Sequence, residues 1–135
     1  MKKLHKLIAI YSICTIALIS TSTDVLAANN WAGFQDVTIG LSFKTLGKAV
    51  FYTTVIPSKG SYYSKITMKL QRYSNGSWKT LTSGTNYDTG TNAYSRYYYV
   101  TKGYTYRVYS TVTIYKKKGG AKVNSDTFIY KRKYK

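Results

Sequence analysis

Glutamate is absent from this 135-residue chain, and cysteine, histidine and proline occur once each. The one cysteine, Cys14, and the one histidine, His5, sit in a segment that reads as a leader. MKKLHK is basic, LIAIYSICTIALIS is an apolar run of 14 residues, and STSTDVLA ends on small residues. That run is shorter than the roughly 20 residues a bilayer-spanning helix needs. Val25 and Ala27 occupy the −3 and −1 positions that a secretory signal peptidase reads, so cleavage is expected between Ala27 and Ala28. Cys14 lies in mid-run without the small preceding residues that lipidation needs, and leaves with the leader. The expected product is secreted, opens with a flexible stretch over 28–35, and folds as a single domain over 36–135.

Without the leader the chain contains no His, Cys or Glu. No metal cluster can then be assembled from imidazole and thiolate, and no Ser-His or Cys-His nucleophile pair is available. Nothing in the chain reads as a cofactor motif. Asp36, Asp88 and Asp126 are the only carboxylates left for acid–base work of the glycosidase kind. Asp88 lies in NYDTG, which reads as turn chemistry within an Asn86–Gly90 loop. Asp36 and Asp126 read as solvated or lysine-paired. A non-catalytic protein is expected. The missing cysteine also removes disulfides, so a packed core must supply the stability.

Positive charge is abundant. Removing the leader takes away three of the 21 basic side chains and one of the four acidic ones, which leaves +15 on 108 residues. Such a surface favours polyanionic partners. Only four of the remaining basic residues are Arg, and Lys acts as a point charge rather than a bidentate fork, which points to diffuse attraction. Tyrosine is abundant too, with 16 in the whole chain.

Short runs rich in Thr, Tyr, Val and Ile alternate with Gly, Asn and Ser clusters, the pattern of an all-β domain. Strands are expected at 36–44, 48–56, 62–73, 77–83, 92–100, 103–116 and 121–131, enough for a seven-stranded antiparallel two-sheet sandwich. Asn75-Gly76 in RYSNGSWKTL is the pair for a tight hairpin whose two central residues need positive φ; Trp78, just after it, is expected to close one end of the core. Gly119-Gly120 marks a second hairpin. In GYTYRVYSTVTIY, alternation assigns Tyr104, Tyr106, Val108, Ser110, Val112 and Ile114 to the core. It assigns Thr105, Arg107, Tyr109, Thr111, Thr113 and Tyr115 to the surface. Tyr63, Tyr130 and Tyr134 are further expected surface tyrosines.

The succession LQRYSNGSWKTL, then VTKGYTYRVYSTV, resembles the middle of an immunoglobulin-like or fibronectin type III-like sandwich. The resemblance implies that Tyr106, with Tyr104 the second candidate, hydrogen-bonds back to the corner preceding the penultimate strand. The G-W hairpin and the G-Y-T-Y-R segment are also similar to those of small secreted proteins of Gram-positive bacteria. The likeness spans about 40–135 and speaks to fold, since sandwiches host many unrelated functions.

Candidate binding residues follow from hairpin geometry. Lys116, Lys117, Lys118 and Lys122 crowd the tip of the last hairpin. Lys102, Lys131, Arg132, Lys133 and Lys135 gather at its other end, and Arg107, Tyr109 and Tyr115 lie on the exposed face between. The partner this favours is an anionic cell-envelope polymer, teichoic acid or an anionic glycan, with the protein retained at the wall. Two alternatives stand beside it: a cationic antibacterial protein acting on anionic membrane surfaces, and an extracellular protein that binds nucleic acid nonspecifically. A monomer is expected, because lysines along exposed edge strands oppose edge-to-edge pairing.

Overall fold

Period-two alternation of apolar and polar side chains decides how this chain packs. The computed structural model describes residues 31–135 and the backbone of Thr23–Val25. Its strands are β1 (Thr23–Val25), β2 (Phe34–Phe43), β3 (Lys48–Pro57), β4 (Tyr63–Ser74), β5 (Ser77–Thr89), β6 (Asn92–Tyr99), β7 (Thr105–Tyr115) and β8 (Lys122–Lys133), with one 3-10 turn at Thr45–Gly47. All pairings are antiparallel. One sheet has the order β1-β2-β3-β6 and the other β5-β4-β7-β8. The three-residue β1 falls inside the expected leader; the rest of that leader, the Ala27–Ala28 cleavage point and Asn29–Asn30 lie outside the described residues.

The core forms where the two inner faces meet. Val37, Ile39 and Leu41 of β2 and Ala49, Phe51 and Val55 of β3 face Ile66, Met68 and Leu70 of β4, Val108, Val112 and Ile114 of β7, and Phe128 and Tyr130 of β8. Each fully buried Leu, Ile or Phe contributes about 1.5–3 kcal/mol. Buried hydroxyls and an amide within this layer pair with one another: Thr53 Oγ1 and Ser110 Oγ lie 2.5 Å apart, and Asn92 Nδ2 donates to Ser64 Oγ at 3.0 Å. The two open sides of the sandwich are tied by arginines. Arg132 Nη1 donates to the Leu41 carbonyl at 3.1 Å, and Arg96 Nη1 donates to the Ser83 carbonyl.

Two expectations about the core need correction. Residues 28–35, expected to be flexible, include Trp31 and Phe34, which are buried and pack against Phe128 with ring centroids 5.2 and 5.8 Å away. Trp31, not Trp78, plugs the core, at the end near Lys116. Trp78 pairs with Tyr73 across the Asn75-Gly76 hairpin. Alternation from the inward Ile66, Met68 and Leu70 turns Tyr73 outward, and its partner turns outward with it. Both hairpin residues have positive φ, 51° for Asn75 and 78° for Gly76.

The tyrosines also redistribute. Tyr104 precedes β7 and is exposed, whereas Tyr130 and Tyr134 are buried. Tyr134 stacks on Phe43 at 4.4 Å and 4°, closing the second end of the core. Tyr106 is fully buried; its hydroxyl donates to the Thr101 carbonyl at 2.6 Å and accepts from the Thr101 amide at 3.1 Å. Burial pushes its phenol pKa above the ordinary value, against the lowering effect of the Thr101 backbone and of Arg72.

Candidate functional site

The outer face of the β5-β4-β7-β8 sheet is built from rungs that register fixes side by side. From one end to the other they run Trp78–Tyr73, then Thr80–Gln71–Arg107–Lys131, then Ser83–Lys69–Tyr109–Ile129. Next come Thr85–Thr67–Thr111–Thr127, Tyr87–Lys65–Thr113–Ser125 and Thr89–Tyr63–Tyr115–Lys122. No carboxylate side chain stands in any of these rungs. Two aromatic clusters, Tyr73/Trp78/Tyr109 and Tyr63/Tyr87/Tyr115, flank a central band of hydroxyls. Tyr109 and Tyr115 are six residues apart along β7, which is about 20 Å of antiparallel strand.

A bulge creates this composition. Between Leu70 and Gln71 the register of β5 shifts by one residue, so that Leu70 faces Thr82 while Gln71 faces Thr80. The slip moves every later β5 side chain to the opposite face. Ser83, Thr85, Tyr87 and Thr89 therefore point outward. Without it Asn86 and Asp88 would occupy those places, and a carboxylate would enter the cationic face. β5 continues to Thr89, so Asp88, expected in a loop, lies on a strand; its Oδ1 accepts the Thr89 amide at 2.8 Å.

Cations are interleaved with the rings. Arg107 lies over Trp78 at 4.2 Å and over Tyr109 at 5.1 Å, and its Nε donates to Gln71 Oε1 at 2.7 Å. Gln71 Nε2 in turn donates to Thr80 Oγ1 at 3.0 Å. Lys69 lies 6.0 Å from the Tyr109 ring and Lys65 5.9 Å from the Tyr87 ring. Tyr87 and Tyr63 stack at 6.0 Å and 17°. In the hydroxyl band, Thr67–Thr85 and Thr111–Thr127 approach to 3.3 Å, and Thr113–Ser125 to 2.9 Å. The face is a rigid platform of ring faces, ammonium groups and hydroxyls. It offers stacking, point-charge attraction and hydrogen bonding to an extended ligand.

The sequence-derived binding residues divide over this frame. Arg107, Tyr109, Tyr115, Lys122, Lys131 and Lys133 belong to the outer face or its margins. Lys116, Lys117 and Lys118 are exposed at the tip, where the Lys116 amide donates to the Ala121 carbonyl at 2.9 Å. Lys102, Lys133 and Lys135 lie at the far end, with the Gly103 amide bonded to the Tyr134 carbonyl at 2.8 Å. β7 spans 11 residues, so the two cationic ends are about 34 Å apart. Arg132 is the exception: its guanidinium is committed to the Leu41 carbonyl across the sandwich. Tyr63, Lys65, Lys69, Tyr73, Trp78 and Tyr87 complete the platform without having been among the sequence-derived binding residues, although Tyr63 was expected at the surface. The hairpin register could have found Tyr73 and Trp78; nothing in the sequence marks the bulge that brings in Tyr87. Comparison with known protein families, with curated proteins and with solved structures found no match.

Proposed function

We propose that the protein is a secreted, non-catalytic binding module that holds an anionic polymer of a Gram-positive cell envelope, teichoic acid or an anionic glycan, along the outer face of the β5-β4-β7-β8 sheet. The observation that carries this reading is the composition of that face: six aromatic rings, interleaved cations and a four-threonine rung, with no carboxylate side chain. Lysines supply attraction to phosphate or carboxylate groups, rings supply faces for sugar C–H surfaces, and threonines supply hydrogen bonds. The lysine-rich ends extend the footprint beyond the sheet. The order β2-β3-β6 against β5-β4-β7-β8, together with the Tyr106–Thr101 corner, supports reading the scaffold as a fibronectin type III-like sandwich.

Cosedimentation with isolated Gram-positive cell walls, intact and stripped of teichoic acid, tests the proposal. Binding is expected at low ionic strength and should fall linearly in log affinity against log salt, because bound counterions are released. No binding to intact walls at low salt refutes it. Equal retention by walls that carry neither teichoic acid nor another anionic glycan refutes the assignment of the ligand. Dye release from anionic vesicles at micromolar protein would favour an antibacterial role instead.

A further inference from the structure

A second surface, separate from the sheet face, sits at the end of the sandwich where β2 turns into β3. Leu46 projects there with 90% of its surface exposed, and on the neighbouring strand Tyr99, 61% exposed, meets the ring of exposed Tyr97 at 6.0 Å. Register places Tyr99 opposite Lys48, and the Val100 amide donates to the Gly47 carbonyl at 2.8 Å, which sets the tyrosine strand beside the Leu46 turn. Lys44, Lys102 and Lys135 line the same shallow depression as Leu46.

Leu46 is held out, not left loose. The Lys44 amide donates to the Lys48 carbonyl at 2.7 Å, closing the turn. Gly47 has φ +80°, and a Cβ there would stand 2.5 Å from the Val100 carbonyl oxygen, so the turn is pressed against its neighbour. Leu46 itself adopts φ 63°, a left-handed conformation that a branched side chain enters at a cost. Asparagine would sit there more easily and would not expose an apolar side chain. The fold therefore holds strain and an exposed leucine at one point.

We propose that this pole docks on the headgroup surface of an anionic lipid bilayer, with Leu46 entering the boundary between headgroups and acyl chains. Tyrosines favour that boundary because each ring is apolar and its hydroxyl stays wet. Lysines near the surface add attraction to anionic lipid. The charge is complementary throughout: Asp36, Asp88 and Asp126 pair with Ile56, Ser64 and Val112, toward the opposite end of the sandwich. A hydrophilic polymer gives an exposed leucine nothing, and a second copy of this pole would bring lysines against lysines. A bilayer interface satisfies the leucine, the tyrosines and the lysines together.

Flotation with vesicles of phosphatidylglycerol mixed with phosphatidylcholine, against pure phosphatidylcholine, tests this. Wild type should float with the mixed vesicles and not with the pure ones. Leu46→Asn should lower partitioning about tenfold, the scale of withdrawing one leucine from an apolar layer, with a melting temperature equal to or above that of wild type. Leu46→Phe should retain binding. Replacing Lys116, Lys117 and Lys118 with Gln, at the opposite pole, should change partitioning less than Leu46→Asn does. Failure of wild type to float with mixed vesicles, unchanged partitioning of Leu46→Asn, or equal flotation with pure phosphatidylcholine would overturn the proposal. So would a Leu46→Asn variant that loses cell-wall binding but keeps its vesicle binding.

Discussion

Replacing Tyr106 by Phe deletes one oxygen atom from a ring that is fully buried at the start of β7. That oxygen makes two backbone hydrogen bonds to Thr101, as donor at 2.6 Å and as acceptor at 3.1 Å. Each is worth about 1 kcal/mol net. Thr101 is exposed, so water reaches the released amide and carbonyl and recovers part of the loss. The expected net destabilisation is about 1.5 kcal/mol, which for a domain of this size lowers the melting temperature by roughly 6–10 °C. Urea unfolding of wild type and variant should give midpoints that differ with equal slopes, since the surface exposed on unfolding is the same. Polymer binding by the folded variant should match wild type, because the ring faces away from the outer sheet surface. A loss under about 0.5 kcal/mol would show that solvent replaces the corner. Loss of binding at full stability would show that the two faces have been assigned the wrong way round.

Three further outcomes test other parts of the account. Gly47→Ala sets a Cβ 2.5 Å from the Val100 carbonyl oxygen at φ +80°, and should cost about 2–3 kcal/mol in urea unfolding; a cost below about 1 kcal/mol would contradict the rigid turn. Burial raises the Tyr130 phenol pKa above 10.0, only partly offset by Arg132, so the folded state holds that proton more tightly than the unfolded chain. Its contribution is complete below about pH 10 and is lost as pH rises beyond; Tyr130→Phe should therefore lose less stability than wild type between neutral and strongly alkaline pH, measured by thermal melts. Changing Lys116, Lys117 and Lys118 together to Gln should leave the melting temperature within about 1 °C, because the tip lies outside the sheet ladder, and should flatten the salt dependence of polymer binding.

Much of the fold was legible because alternation is a strong signal wherever one face is buried. GYTYRVYSTVTIY separates cleanly into Tyr106, Val108, Ser110, Val112 and Ile114 inward and Arg107, Tyr109 and Thr111 outward. Asn75-Gly76 fixed a hairpin by backbone chemistry alone. Three features were not legible. Trp31 and Phe34 join the core from a segment too short to show a period. Tyr134 is buried by stacking on Phe43 across the sandwich and Tyr130 beside inward Val108, placements set by packing and strand register. The β5 bulge changes face occupancy without changing composition, so the sequence could place neither Tyr87 on the platform nor Asp88 off it. The candidate site was accordingly half visible: its charges were read from the sequence, and the arrangement that interleaves them with rings came only from register.

Paired substitutions on opposite faces of the sandwich decide which sheet face holds the polymer. Trp78→Ala with Tyr109→Ala removes two rings and the seat of Arg107 from the outer face of β5-β4-β7-β8. Tyr97→Ala with Tyr99→Ala removes two exposed rings from the β6 strand of the other sheet. Dissociation constants for a purified teichoic acid, measured at one low salt concentration with all three proteins shown to be folded, decide between the faces. Binding should weaken at least about tenfold for the first pair, from about 1–3 kcal/mol per lost stacking contact, and change under about twofold for the second. Equal weakening by both pairs, or loss confined to the second, would contradict binding along the outer face of β5-β4-β7-β8.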